Sequence, residues 1–245
     1  MMSPKRLKPF LIAAFFVLAV SVVYVSVSFD TNHILPEAII QKGKTLEDVA
    51  GIDVSHHQGN IDWEKVKESC PDLKFVYIKA TEGKSHVDPR FRANAKGASI
   101  VGYKVGAYHY FRMTSSAHAQ FANFKKQMDA VHLDLLPMVD VETNDRKPRK
   151  QFQDSLKVFL DLLEKEYGKK PVIYGTQRSY NSYCAPEFND FPLYIGKYST
   201  SKPIVIGPSH YSIWQFSETG IIPGIPTYVD LCKTHPDFQI EHIEK

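Results

Sequence analysis

The sequence predicts an irregular TIM-like (β/α) barrel with eight strands and fewer helices, preceded by an N-terminal transmembrane helix. Three observations predict this. Eight short apolar runs recur after Gly51, helical patterns fall between several of them, and the segment Phe10 to Phe29 is apolar without a single charge. The 245 residues, 43% hydrophobic and 23% charged, supply enough apolar material for one barrel-sized core and argue against disorder over most of the chain. The boundaries read as a basic cytoplasmic segment at 1–9, the apolar segment at 10–29, a polar linker at 30–49 and the barrel at 50–245.

The N-terminal element is justified by length and flanking charge. Roughly 20 apolar residues cross a hydrocarbon core as a helix. Lys5, Arg6 and Lys8 precede the segment, which places the rest of the chain outside the cytoplasm. A cleavable signal peptide is the rival, because Ser26-Val27-Ser28 offers a small-x-small triplet. Either reading exports the domain to the periplasm or beyond the cell.

The eight runs are GIDVS (51–55), FVYIKA (75–80), VGAYHYF (105–111), LLPMVDVE (135–142), PVIYG (171–175), PLYIGKY (192–198), SIWQF (212–216) and YVDLC (228–232). Their near-continuous apolar character is that of strands buried on both faces. Helices are expected at Ser155 to Tyr167, where Leu156, Phe159, Leu160 and Leu163 share a face and Gly168 stops it, and at Ser116 to Val131. Shorter ones are expected at Trp63 to Ser69 and Arg90 to Ala98. Between Gly196 and Asp230 there is little room for a full helix, so the last connections should be loops or short turns.

Barrel sites lie at the C-terminal ends of the strands. The runs end in or near Asp53, Lys79 and Glu82, Tyr108, His109 and Tyr110, Asp140 and Glu142, Tyr174, Tyr194 and Tyr198, Trp214 and Gln215, and Asp230. Acids and aromatics therefore converge on one rim. In PMVDVE, Asp140 and Glu142 are two apart, so a strand sends both carboxyls to one side, roughly 6.6 Å apart along the chain. Two such acids oppose each other's ionisation, and a proton donor beside a carboxylate is the equipment for cleaving a glycosidic bond. Glu82, Tyr108, Tyr110, Tyr174, Tyr194, Trp214 and Gln215 are the candidate substrate-binding groups, because sugar rings stack on aromatic faces.

Other chemistries fit less well. His56 and His57 are adjacent and no CxxC occurs, so no metal is expected. Ser55 beside His56 is not a G-x-S-x-G elbow, and no Gly-rich phosphate loop is present, so no cofactor is expected. The net charge of +3 without a basic stripe excludes nucleic acid as a partner. Cys70, Cys184 and Cys232 read as small buried hydrophobes, although in an exported chain one pair could be bridged.

The motifs carry a resemblance. GIDVSHHQG (51–59) with IDW (61–63), FVYIKATEG (75–83), GAYHYF (106–111), PMVDVE (137–142), PVIY (171–174), WQF (214–216) and VDL (229–231) stand in the order of glycoside hydrolase family 25, the Chalaropsis-type lysozymes. The stretch from about Ala50 to Asp237 is similar to that family. The resemblance implies an N-acetylmuramidase acting on peptidoglycan glycan strands, at the β-1,4 bond from N-acetylmuramic acid to N-acetylglucosamine. It implies Glu142 as general acid, Asp140 as a neighbour that orients the substrate N-acetyl group or stabilises positive charge, and Asp53 and Asp230 as the remaining acids. It also implies retention, with either an enzyme carboxylate or the substrate acetamido oxygen as the acid's partner. This chain departs from the family pattern at Tyr194 and Gly196, where Trp and Ala are usual, and at Cys232, where the D-x-N motif has Asn. A family 18 chitinase would need an acid at Met138. Two other readings remain, a catalytically inactive wall-binding module and a glycosidase for another N-acetylated glycan.

Overall fold

The computed structural model describes residues 49–245. The apolar segment and most of the linker predicted above lie outside the described residues. Among the described residues no helix is long and apolar enough to cross a membrane.

The strands are β1 (Gly51–Val54), β2 (Phe75–Glu82), β3 (His86–Val87), β4 (Lys104–Tyr110), β5 (Met138–Asp140), β6 (Val172–Thr176), β7 (Leu193–Gly196), β8 (Ile213–Gly220) and β9 (Val229–Thr234). The helices are α1 (Trp63–Ser69), α2 (Phe91–Ile100), α3 (Ala117–Met128), α4 (Arg149–Tyr167) and α5 (Gln177–Tyr183). Eight strands close in the order β1-β2-β4-β5-β6-β7-β8-β9, and β9 returns to β1. The two-residue β3 adds antiparallel to the end of β2. All eight predicted runs are barrel strands.

The eighth corrects a directional expectation. β9 runs antiparallel to both β8 and β1. Residues 221–228 are the whole connection from β8, whereas a parallel return needs a crossover of roughly a dozen residues or more. The chain turns back as a hairpin instead. The rim residue Asp230 therefore lies near the start of its strand, not the end.

α4 begins at Arg149, six residues before the Ser155 that the spacing alone predicts. Phe152 extends the buried stripe of Leu156, Phe159, Leu160 and Leu163. It stops at Gly168, whose φ of 73° is left-handed. α5 has no sequence signal of that kind, because QRSYNSY is polar. It is nucleated by Thr176, whose hydroxyl accepts from the Ser179 amide at 3.1 Å, and anchored by buried Tyr180.

Alternation along the strands divides the apolar residues into two cores. The larger lies between the barrel and its helices and holds Val76, Ile78, Val105, Val139, Phe124 and the α4 stripe. The smaller fills the lower barrel with Phe75, Tyr77, Met138, Val172 and Ile213, and is joined by Leu135, Leu136, Ile240 and Ile243. Gly51 and Gly106 make room for this filling. A Cβ at Gly51 would come within 2.2 Å of the Phe75 ring, and one at Gly106 within 2.4 Å of Tyr77. With the lower barrel filled by side chains, a cavity opens at the upper end among the rim residues.

Candidate active site

That cavity encloses about 170 Å³ and is lined by Asp53, Tyr108, Met138, Asp140, Glu142, Tyr174, Tyr198, Gln215, Glu218 and Asp230. Each side chain arrives by the inward alternation of its strand. Asp53 comes from β1, Tyr108 from β4, Asp140 from β5, Tyr174 from β6, Gln215 from β8 and Asp230 from β9. The ladder continues past the end of β5, because the Val141 amide donates to the Tyr174 carbonyl at 2.9 Å. The backbone is thus held up to the residue before Glu142.

The Asp140 carboxyl is buried, 7% exposed, and its Oδ1 has no hydrogen-bond partner. Burial, then the Glu142 charge, push this acid well above the usual carboxyl range, with Lys79 opposing. Ionising Asp140 is thereby made harder than ionising an ordinary carboxyl. Glu142 stands at the exposed mouth. Its carboxyl is also raised, by desolvation against the cleft wall and by the Asp53 charge, while Lys79, Tyr174 and Tyr110 pull it back.

Asp53 and Asp230 are directly opposed on β1 and β9. Asp53 Oδ2 accepts from Tyr194 Oη at 2.9 Å, Gln215 Nε2 at 2.8 Å and, more weakly, Cys232 Sγ at 3.7 Å. Burial raises its carboxyl, and hydrogen bonds from Gln215, Tyr194, Asp230 and Cys232 oppose that rise. Burial, then the neighbouring Asp53 charge, push Asp230 up to about 9. Both carboxyls are thus raised, and at this separation each opposes the other's ionisation.

Gln215 is fixed from above. Its Oε1 accepts from Tyr174 Oη and Tyr198 Oη, both at 2.8 Å, which leaves its NH₂ for Asp53. Gly196 permits this arrangement, since a Cβ there would stand 3.0 Å from Tyr174 Oη and 3.1 Å from Gln215 Oε1. On the opposite side, Arg112 bridges Glu82 and Asp145, and Asp145 also accepts from the Met113 amide at 2.7 Å. Asp145 and Arg146 both have positive φ, 47° and 62°, so the loop after Glu142 is a tight turn pinned by that arginine.

The family-model match covers residues 52–225 and is to glycosyl hydrolases family 25. The chain belongs to glycosyl hydrolase family 25. YegX of Escherichia coli K12 is 35% identical over 185 residues, covering 74% of this chain and 68% of that one. A family 25 glycosyl hydrolase structure from Bacillus anthracis is similar with a TM-score of 0.69 at 32% identity, covering 76% of this chain and 88% of that one. A bacterial lysozyme from Streptomyces coelicolor is similar with a TM-score of 0.67 at 30% identity, covering 76% and 91%.

Within this family 25 barrel the expected rim residues separate. Asp53, Asp140, Glu142, Asp230, Tyr108, Tyr174 and Gln215 line one cavity. Tyr194 does not, because it is fully buried beneath Asp53. Trp214 does not either. It alternates with the inward Gln215, donates Nε1 to the Lys197 carbonyl at 2.8 Å and packs edge-on against Tyr211 and Phe216. Glu82 is held by Lys79 at 2.8 Å and Arg112 at 3.1 Å. Burial raises its carboxyl, but these two cations outweigh it and the net shift is downward. Tyr110 stands next to the cavity, with Lys79 over its ring.

His109 also leaves the rim. It points into the outer core, bonded to Thr81 and Gln120, and burial pushes it down to about 4. Ser55 caps the turn at His56–Gln58, and His56 bonds Asp88 at 2.8 Å, so neither is a nucleophile pair. Glu218 is the residue sequence reasoning missed. Register shifts in β8 after Gln215 turn Glu218 into the cavity, and strict alternation from SIWQF cannot show a bulge. The three cysteines are free and buried. Among the described residues no His, Cys, Asp and Glu group is placed to hold a metal.

Proposed function

We infer that the protein is a lysozyme, an N-acetylmuramidase that hydrolyses the β-1,4 bond between N-acetylmuramic acid and N-acetylglucosamine in peptidoglycan, with Glu142 as general acid. One observation carries the assignment of roles. Asp140 and Glu142 open into the same small cavity, both with raised carboxyl pKa values, in a chain of family 25. The lysozyme name borne by the similar Streptomyces coelicolor protein supports the activity.

The chemistry follows from the geometry. Glu142 at the mouth gives its proton to the glycosidic oxygen as the bond from the anomeric carbon to that oxygen breaks. Positive charge then develops on the sugar ring, and the ionised Asp53 in the cavity wall stabilises it. Glu142, now a carboxylate, takes a proton from the water that adds to the anomeric carbon. Asp140, its carboxyl raised by burial, has an unpartnered oxygen, which suits a hydrogen bond to the substrate acetamido group. A nucleophile would need to be an anion. Tyr108, Tyr174 and Tyr198 supply the aromatic walls.

The segment Phe10 to Phe29 anchors the enzyme, with the barrel of residues 50–245 outside the cytoplasm, where the wall lies. Fractionation tests this. The full chain should stay with washed membranes and resist alkaline extraction, and release of a shortened soluble form would favour signal cleavage.

Digestion of purified peptidoglycan, followed by borohydride reduction of the new ends, tests the activity. Muramic-acid-derived alditols are expected. Glucosamine-derived alditols would reassign the bond, and tight binding without any new ends would make the protein a wall-binding module.

A further inference from the structure

We propose that the buried Tyr194 hydroxyl is a positioning group that fixes the negative charge of the Asp53–Asp230 pair on Asp53. The inference rests on reading the cavity as the muramidase site.

Two buried acids that share one proton can place it on either member. Here the surroundings are unequal. Asp53 Oδ2 receives Tyr194 Oη, Gln215 Nε2 and Cys232 Sγ, so it is the better seat for a charge. Asp230 faces that charge from β9, with Glu218 nearby on β8. From the far wall Asp140 and Glu142 face Asp53 from β5 and its loop, and Tyr108 from β4. None of these far-wall groups donates a hydrogen bond to Asp53 Oδ2, so the donors beneath Asp53 decide where the charge sits.

Tyr194 is the donor whose effect is cleanest to isolate. It is fully buried, so substrate cannot touch it. Its ring is held edge-on by Tyr77 at 6.2 Å and Tyr174 at 5.3 Å, contacts that phenylalanine keeps. Its hydroxyl also meets Cys232 Sγ, which itself reaches the same Asp53 oxygen. Gln215, by contrast, is shared with Tyr174 and Tyr198 on the cavity wall, and changing it would disturb the substrate surface.

Tyr194→Phe in the full chain tests the proposal. Losing a donor to the charged form raises the Asp53 pKa, so the acidic limb of kcat/KM should move to higher pH by about one unit. KM should stay within about twofold while kcat falls below that limb. An unmoved limb with only a lower Tm would overturn the proposal and leave Tyr194 a packing residue. Carbon-13 carboxyl titration of the wild-type protein gives an independent reading, with the signal lost in Asp230→Asn identifying the partner. The lower pKa of the pair should belong to Asp53, and its assignment to Asp230 would overturn the proposal. That titration needs no turnover, so it separates failure of this inference from failure of the muramidase reading.

Discussion

Asp53 on β1 and Asp230 on β9 are opposed register partners across the antiparallel closure of the barrel, and their carboxyls share the wall of one cavity. The hairpin that reverses β9 is what brings Asp230 to the rim. A parallel strand with the same sequence would begin at the lower end of the barrel and bury that acid among the residues that plug it.

The pair makes stability depend on pH. Asp230 is pushed up to about 9 in the folded protein, mainly by burial, whereas in an unfolded chain the same group ionises near about 3.9. Between those values the folded state holds one extra proton, so stability falls as pH rises. Asp230→Asn mimics the protonated acid and removes this penalty. Thermal unfolding should show a Tm gain of a few degrees at pH 8 and none below about pH 4. Activity near neutrality should drop less than about tenfold, while Asp53→Asn, which removes the charge, should lose on the order of a hundredfold or more.

The plugged lower barrel depends on two glycines. Gly51→Ala and Gly106→Ala place a methyl against the Phe75 and Tyr77 rings, at 2.2 Å and 2.4 Å before any relaxation. Both rings are fully buried in the core that fills the lower barrel. Each substitution should cost about 1–3 kcal/mol. Urea unfolding should show a lower midpoint with an unchanged slope.

The loop after Glu142 is held from outside the cavity. Asp145, at φ 47°, takes Arg112 at 3.0 Å and the Met113 amide. Asp145→Asn keeps a residue tolerant of the left-handed region and an oxygen for Met113, and loses only the ion pair. Asp145→Ala loses all three. Turnover should therefore fall by about tenfold or more for the alanine variant and less for asparagine. Equal losses would mean that the charge, not the turn, holds the loop.

The residues show why the sequence was legible where it was. The eight strands stood out because strands buried on both faces read as unbroken apolar runs, and the acids stood out because they end such runs. α5 was hidden because QRSYNSY buries Tyr180 and Ser179 while the rest is polar. Trp214 was misplaced because an unbroken apolar run does not say which residue faces inward. The neighbouring Gln215, polar and buried, was the clue to that parity. The direction of β9 was available from the short connection at 221–228, and Glu218 was not, because its aim depends on a bulge.

Turnover of Glu142→Gln on purified peptidoglycan tests the central claim most directly. The amide keeps the size and loses the proton, and a positioned general acid is worth about 10²–10⁴-fold. The account predicts a loss in kcat of that order, with peptidoglycan binding retained and the thermal unfolding temperature little changed. Near-full turnover by the folded variant would contradict the assignment of Glu142 as the acid and, with it, the reading of this cavity as the catalytic site.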